Sequence, residues 1–158
     1  MTIDKTPSCV LSEGGGVGVR NCQEQVLSAR ELCTIWVVDD DEAMRTLLAE
    51  ALEERGCAVT QLGNGHEVLN LLKTTAPSLI VTDLRMPGGG FSYVEDIRKA
   101  VPDCPIVLMT AYGDAHSKAK AESCGLKGYF EKPVRIQSLK SWICQLCLIN
   151  PCRNIPVR

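Results

Sequence analysis

The chain has 158 residues, enough for one domain with some length to spare, and its 45% apolar content supplies a packed core even though aromatics make up only 4%. A net charge of −2 gives no basis for a nucleic-acid surface. The apolar runs fall far short of the roughly 20 residues of a membrane span, and Met1–Arg30 lacks the basic-then-apolar order of a signal peptide, so neither nucleic acid nor a membrane is an expected partner and a cytoplasmic protein is expected.

Residues 1–33 are polar and irregular and read as a flexible N-terminal extension, with a short helix conceivable over Gln23–Leu32. The run Gly14-Gly15-Gly16-Val17-Gly18 lacks both the preceding strand and the following Gly-Lys-Ser/Thr of a phosphate loop. From Thr34 the pattern becomes regular. Ile35–Val38 is a continuous apolar run, as in a strand buried on both faces. Glu42–Arg55 reads as a helix, with Met44, Leu47, Leu48, Ala51 and Leu52 on one stripe and Gly56 ending it. Cys57–Leu62 is a second strand. Asn64 can cap a helix carrying Val68, Leu69, Leu71 and Leu72, which ends before Pro77.

Leu79–Thr82 is a third strand, Ser92–Ala100 a helix and Pro105–Met109 a fourth strand. Asp114–Cys124 is a more polar helix, suited to movement or to a partner, that Gly125 terminates. Lys127–Phe130 is a fifth strand. A last helix carries Ile136, Leu139, Trp142, Ile143 and Leu146 on one side, and Pro151 stops it. The expected organisation is an extension over 1–33, a domain over 34–147 and a short tail over 148–158. Strands alternating with helices at this spacing imply an α/β fold: five parallel strands in one doubly wound sheet, with helices on both faces. Ligands of such sheets sit at the carboxyl ends of the strands.

Those ends carry the chemistry. The first strand runs into Asp39, Asp40 and Asp41, the third into Asp83, the fourth into Thr110 and the fifth into Lys132. Clustered carboxylates stay ionised together only beside cations, and a hard divalent ion such as Mg²⁺ suits oxygen donors. Mg²⁺ with a lysine is a recurrent means of holding a phosphoryl group, and a carboxylate can itself be the nucleophile that forms an acyl phosphate. Asp83 is the best candidate, because it ends the expected central strand and has no acidic neighbour in sequence. A single aspartate at a strand end is more often a helix cap, and Asp41 fits that role before Glu42. The whole set in this order is hard to obtain by chance.

On Val37-Val38-Asp39-Asp40-Asp41, Asp83-Leu84-Arg85-Met86-Pro87, Met109-Thr110-Ala111 and Glu131-Lys132-Pro133, the segment of about residues 34–147 resembles the receiver domain of bacterial two-component response regulators (CheY-like). The resemblance implies a flavodoxin-like strand order 2-1-3-4-5. It implies Asp83 as phosphoacceptor for a histidine kinase or a His-containing phosphotransfer protein, not an enzyme acting on other substrates. Asp40, Asp83 and the Arg85 backbone carbonyl would ligate Mg²⁺, with Asp39 acting through a metal-bound water. Thr110 and Lys132 would contact the phosphoryl oxygens, and Tyr129, three residues before Lys132, would be the switch aromatic. A face made by the fourth helix, fifth strand and fifth helix would then change its binding to an unknown downstream protein or to a second copy in a homodimer.

The segment Met86–Phe91 departs from the family pattern, because Gly90-Phe91 arrives one residue early. Three glycines are expected to let the shortened turn close, with the start of the third helix displaced. Arg85 and Tyr112 flank the site and are bulky enough to shield an acyl phosphate from water. The residues after 147 are too few for a DNA-binding module, so a stand-alone receiver is expected. A phosphatase of the haloacid-dehalogenase type would need an aspartate where Arg85 stands, and a receiver-like module that is never phosphorylated would not be expected to keep the full acidic set. Nine cysteines, an odd number, do not form a disulfide framework, and most fit as small buried hydrophobes. Cys144, Cys147 and Cys152 offer three thiols to a zinc ion, but no fourth ligand is near, and packing of Cys144 and Cys147 on a helix face is the stronger reading.

Overall fold

The structure, a computed structural model, describes residues 33–111 and 113–149, with the side chains of the last helix described as far as Leu146. The extension with its glycine run Gly14–Gly18 and the short helix over 23–32, Tyr112 and the tail from 150 lie outside those residues. The elements are β1 (Thr34–Val38), α1 (Glu42–Glu53), β2 (Ala58–Leu62), α2 (Gly65–Leu71), β3 (Leu79–Asp83), α3 (Phe91–Ala100), β4 (Ile106–Thr110), α4 (Ala115–Ser123), β5 (Gly128–Glu131) and α5 (Ile136–Ile149). All five strands are parallel, in the order β2-β1-β3-β4-β5, so β3 is the central strand. The fold is the expected flavodoxin-like α/β sandwich.

The sheet divides the core in two because successive side chains of a strand point to opposite faces. Ile35 and Val37 of β1, Leu79 and Val81 of β3, and Val107 and Met109 of β4 pack on one face with Leu48 and Leu52 of α1 and Leu139 and Ile143 of α5. Trp36, Val38, Ile80 and Ile106 face the other way, against Val68 of α2 and Tyr93, Val94 and Ile97 of α3. Every residue of β3 and β4 is buried, which explains why these strands read as unbroken apolar runs.

The helix ends follow the local chemistry. Asp41 caps α1, its Oδ1 accepting from the Ala43 and Met44 amides at 3.0 and 3.2 Å. Asn64 caps α2 and Asp114 caps α4. At the end of α4 the Leu126 amide donates to the Ala121 carbonyl and the Gly125 amide to the Glu122 carbonyl, with Gly125 at φ +69°, a Schellman turn. Gly56 takes its left-handed turn two residues beyond the α1 cap Glu54, because the Arg55 and Gly56 amides first tighten onto the Leu52 and Glu53 carbonyls. Arg98 of α3 donates to the carbonyls of Pro102, Cys104 and Gly125, tying the α3–β4 loop to the α4–β5 loop at the lower rim of the sheet. Lys140 of α5, itself buried, reaches Glu54 at 2.5 Å and fastens α5 to the end of α1.

The shortened loop after β3 closes because its glycines meet separate demands. Gly88 and Gly90 have φ of +69° and +97°, and a Cβ on Gly89 would lie 2.6 Å from the Leu84 carbonyl oxygen. The loop is also docked sideways: the Gly65 amide donates to the Pro87 carbonyl at 2.9 Å. A Cβ on Gly65 would come within 1.9 Å of the Gly88 oxygen. By contrast, a Cβ on Gly63 meets nothing closer than Arg45 Nη1 at 3.5 Å. In urea unfolding, Gly65→Ala is therefore expected to cost about 2 kcal/mol through this clash. Gly63→Ala is expected to lie within about 1 kcal/mol of the parent, or above it. Equal losses in the two variants would contradict the docked loop.

Candidate functional site

Register and pleat together build the site. Val38 of β1 pairs with Thr82 of β3, so the next residues, Asp39 and Asp83, lie side by side at the ends of adjacent strands. Each continues the side-chain parity of the α1/α5 face: 35, 37 and 39 on one strand, 79, 81 and 83 on the next. Phe130 of β5 packs on that same face, and Lys132 follows it with the same parity. Three charged side chains from strands distant in sequence thus converge on one edge of one face. The Lys132 amide also donates to the Thr110 carbonyl at 2.7 Å, which fixes the backbone of the lysine to the end of β4. The Lys132–Pro133 peptide is cis.

Lys132 Nζ lies 2.6 Å from Asp39 Oδ2 and 3.3 Å from Asp83 Oδ2. The remaining oxygens are held by the backbone: the Asp41 amide donates to Asp39 Oδ1 at 3.0 Å and the Arg85 amide to Asp83 Oδ1 at 3.2 Å. Asp39 is fully buried and Asp83 nearly so, whereas Asp40 is exposed. Each of the three carboxylates offers an oxygen within 4.8 Å of the others. At an effective dielectric of about 20, each such pair repels by at least about 3.5 kcal/mol, while the ammonium attracts Asp39 and Asp83 by about 6 and about 5 kcal/mol. Lys132 therefore roughly offsets the mutual repulsion. It still leaves a net charge of −2 among the four groups. A hard divalent cation matches both that charge and the all-oxygen donor set, and the exposed side at Asp40 leaves room for the water ligands such an ion retains.

Burial works to lower the pKa of Lys132, but the hydrogen bond and charge of Asp39, with a smaller contribution from Asp83, outweigh it and raise the pKa above the ordinary lysine value. Thr110 is buried at the end of β4, next in register to the site. Tyr129 is half-buried on β5, opposite Leu108, and its hydroxyl is pushed up by burial and by the charges of Glu131 and Asp114. Arg85 is exposed at the mouth of the site. Cys144 is half-buried on α5, while the side chain of Cys147 and all of Cys152 lie outside the described residues.

Two supporting residues were not anticipated. Arg45, one turn into α1, donates from Nη1 to the Asp39 carbonyl at 2.7 Å and anchors the acidic turn from below. Tyr93 places its hydroxyl 3.3 Å from Thr82 Oγ1, which donates in turn to the Asp83 carbonyl at 2.9 Å. Burial strongly raises the pKa of that phenol and keeps it neutral. The arginine was legible only as a basic position on a helix otherwise read for its apolar stripe. The tyrosine had the signal of a polar tip on a buried face of α3.

The sequence profile of the response regulator receiver domain matches residues 35–143. The chain belongs to that family. It is 37% identical over 103 residues to the DNA-binding transcriptional regulator NtrC of Salmonella typhimurium, a match covering 65% of this chain but only 22% of the regulator. It is 36% identical over 120 residues to an uncharacterised 14.6 kDa protein from the sodA1 3′ region of Leptolyngbya boryana, covering 74% of this chain and 92% of that one. Among solved structures, the receiver domain of Francisella response regulator 1452 superposes with a TM-score of 0.66 at 28% identity, covering 72% of this chain and 94% of that one. A response regulator protein from Burkholderia pseudomallei, with a phosphorylated aspartic acid, calcium ion and citrate, superposes with a TM-score of 0.62 at 29% identity, covering 75% of each chain. No helix among the described residues is long and apolar enough to cross a membrane.

The raised pKa of Lys132 has a measurable sign. Its stabilising contribution is fully present below the unfolded-state lysine value of about 10.4 and is lost as pH rises through the higher folded value. In chelator-treated protein, the stability advantage of the parent over Lys132→Met is expected to shrink between pH 9 and pH 11.5 in urea unfolding. An advantage equal at both pH values would contradict the charge pairing.

Proposed function

We propose that this receiver accepts a phosphoryl group on Asp83, from a histidine kinase or a His-containing phosphotransfer protein, in a Mg²⁺-dependent reaction. The observation that carries the reading is the convergence of Asp83, Asp39 and Lys132 on one edge of the sheet, with Asp40 and Thr110 beside them. Family membership supports it, as does the phosphorylated aspartic acid of the related Burkholderia pseudomallei protein.

In this reading Asp83 attacks the donor phosphorus with one carboxylate oxygen. A P–O bond forms as the P–N bond to the donor histidine breaks, and the imidazole nitrogen keeps the electron pair. Lys132 releases its contact with Asp83 Oδ2 in favour of a phosphoryl oxygen, and Thr110 Oγ1 donates to another. Asp39, Asp40, Asp83 and the Arg85 carbonyl are the residues that would hold Mg²⁺, whose chemistry is to neutralise charge on the transferring phosphoryl group. The Arg85 amide, which donates to Asp83 Oδ1, orients the nucleophile before transfer. Arg85, with Tyr112, would shield the product from water.

The downstream effect is assigned to the face made by α4, β5 and α5. Helix α4 buries only Ala121 among its residues, so little packing opposes its movement when Thr110 and Tyr129 rearrange. A protein target or a second copy would read that face. A receiver acting without an attached output domain takes support from the 14.6 kDa relative, whose length the match nearly fills, whereas the matched part of NtrC is about a fifth of that regulator.

Incubation with a small phosphodonor such as acetyl phosphate and Mg²⁺ is expected to add one phosphoryl group, detected by intact-mass spectrometry. Asp83→Asn or chelation is expected to abolish it, and Lys132→Ala to reduce it at least tenfold. Phosphorylation of the Asp83→Asn variant at the parental rate would refute the assignment.

A further inference from the structure

At the opposite end of the sheet from Asp83, two cysteines stand side by side. Thr34 of β1 pairs with Ala58 of β2, and the Ala58 amide donates to the Cys33 carbonyl at 2.9 Å, so Cys33 and Cys57 are the next lateral neighbours below that rung. Parity places both side chains on one face: Cys33 continues Ile35 and Val37, Cys57 continues Val59, and both pack against the core shared by α1 and α5. Each carries a thiol and is only half-buried. Cα atoms of lateral neighbours in a sheet are about 5 Å apart, inside the window of about 4.4–6.8 Å that a disulfide spans. Cys104 differs in every respect: it is fully buried, its thiol donates to the Pro77 carbonyl at 3.4 Å, and burial pushes its pKa up to about 12, so it serves as core packing.

We propose that Cys33 and Cys57 form a reversible, redox-responsive disulfide that staples the edge strand β2 to β1. With a peroxide as oxidant, one thiolate attacks the peroxide oxygen to give a sulfenic acid and releases the first water. The second thiolate then attacks that sulfur and displaces hydroxide, which leaves as the second water. Two thiols lose two protons and two electrons, and one peroxide becomes two waters. A dithiol reductant reverses the step by thiol–disulfide exchange. The loop closed by this bond contains all of α1, so the cross-link restrains the unfolded chain and stabilises the half of the domain that carries Asp39, without occupying the phosphorylation site.

The test is mild oxidation of the full chain with hydrogen peroxide, alkylation of remaining thiols, and peptide mapping with and without dithiothreitol, alongside thermal melts of the same samples. A Cys33–Cys57 linked peptide is expected as the dominant cross-link, removed by dithiothreitol. The oxidised parent is expected to melt about 5 °C higher than the reduced one. Cys33→Ser and Cys57→Ala should each fold and lose both the linked peptide and the increment. Separate alkylation of both cysteines, preferential linkage of either to another cysteine, or a linked species that melts no higher than the reduced protein would each overturn the proposal.

Discussion

The placement of one ammonium between two buried carboxylates is the constraint on which the rest of the site depends. A lone buried carboxylate is strongly disfavoured, and two adjacent ones more so. Asp39 and Asp83 are forced together by the register of β1 with β3, and that register is held by apolar residues on both faces of the sheet. Lys132 makes the arrangement tenable. It comes from the far end of the chain and from a strand that is not adjacent to β1, so the charge balance of the site reports on closure of the whole sheet.

This balance is incomplete by design of the donor set. Four groups with a residual charge of −2 match a divalent cation, and in the proposed reaction the existing partners would rearrange to meet the charge that the cation and the phosphoryl group bring. The backbone does the orienting: amides of Asp41 and Arg85 hold the carboxylate oxygens that Lys132 does not, and Arg45 holds the carbonyl of Asp39. In the proposed switch few side chains would have to move, which would concentrate the response on Thr110, Tyr129 and the thinly packed α4.

Much of this was legible in the sequence because it rests on local patterns. Strands buried on both faces read as apolar runs, Asp41 and Asn64 read as caps, and a parallel sheet brings strand ends together whatever its side chains. The convergence of Asp39, Asp40, Asp83, Thr110 and Lys132 at one edge followed from that topology. Contacts set by tertiary approach were not legible. The docking of the β3–α3 loop on Gly65, the reach of Arg45 to a carbonyl six residues earlier, the Tyr93–Thr82 pair and the buried Lys140 on Glu54 each depend on how elements lie in space. Cysteines read as generic core filler divide, in the fold, into the deeply buried Cys104 and the lateral pair Cys33 and Cys57, a distinction that strand register alone creates.

The central claim is that Lys132 holds the two buried carboxylates together, and a double-mutant cycle tests it most directly. Urea unfolding of the parent, Lys132→Met, Asp39→Asn and the double variant, all in chelator at neutral pH, yields the coupling between the two side chains. Lys132→Met is expected to cost about 2 kcal/mol in the parent and little in the Asp39→Asn background, a coupling of about 1.5 kcal/mol or more. Losses that add to within about 0.5 kcal/mol would show that the ammonium and the carboxylate do not sustain one another, and would contradict the account.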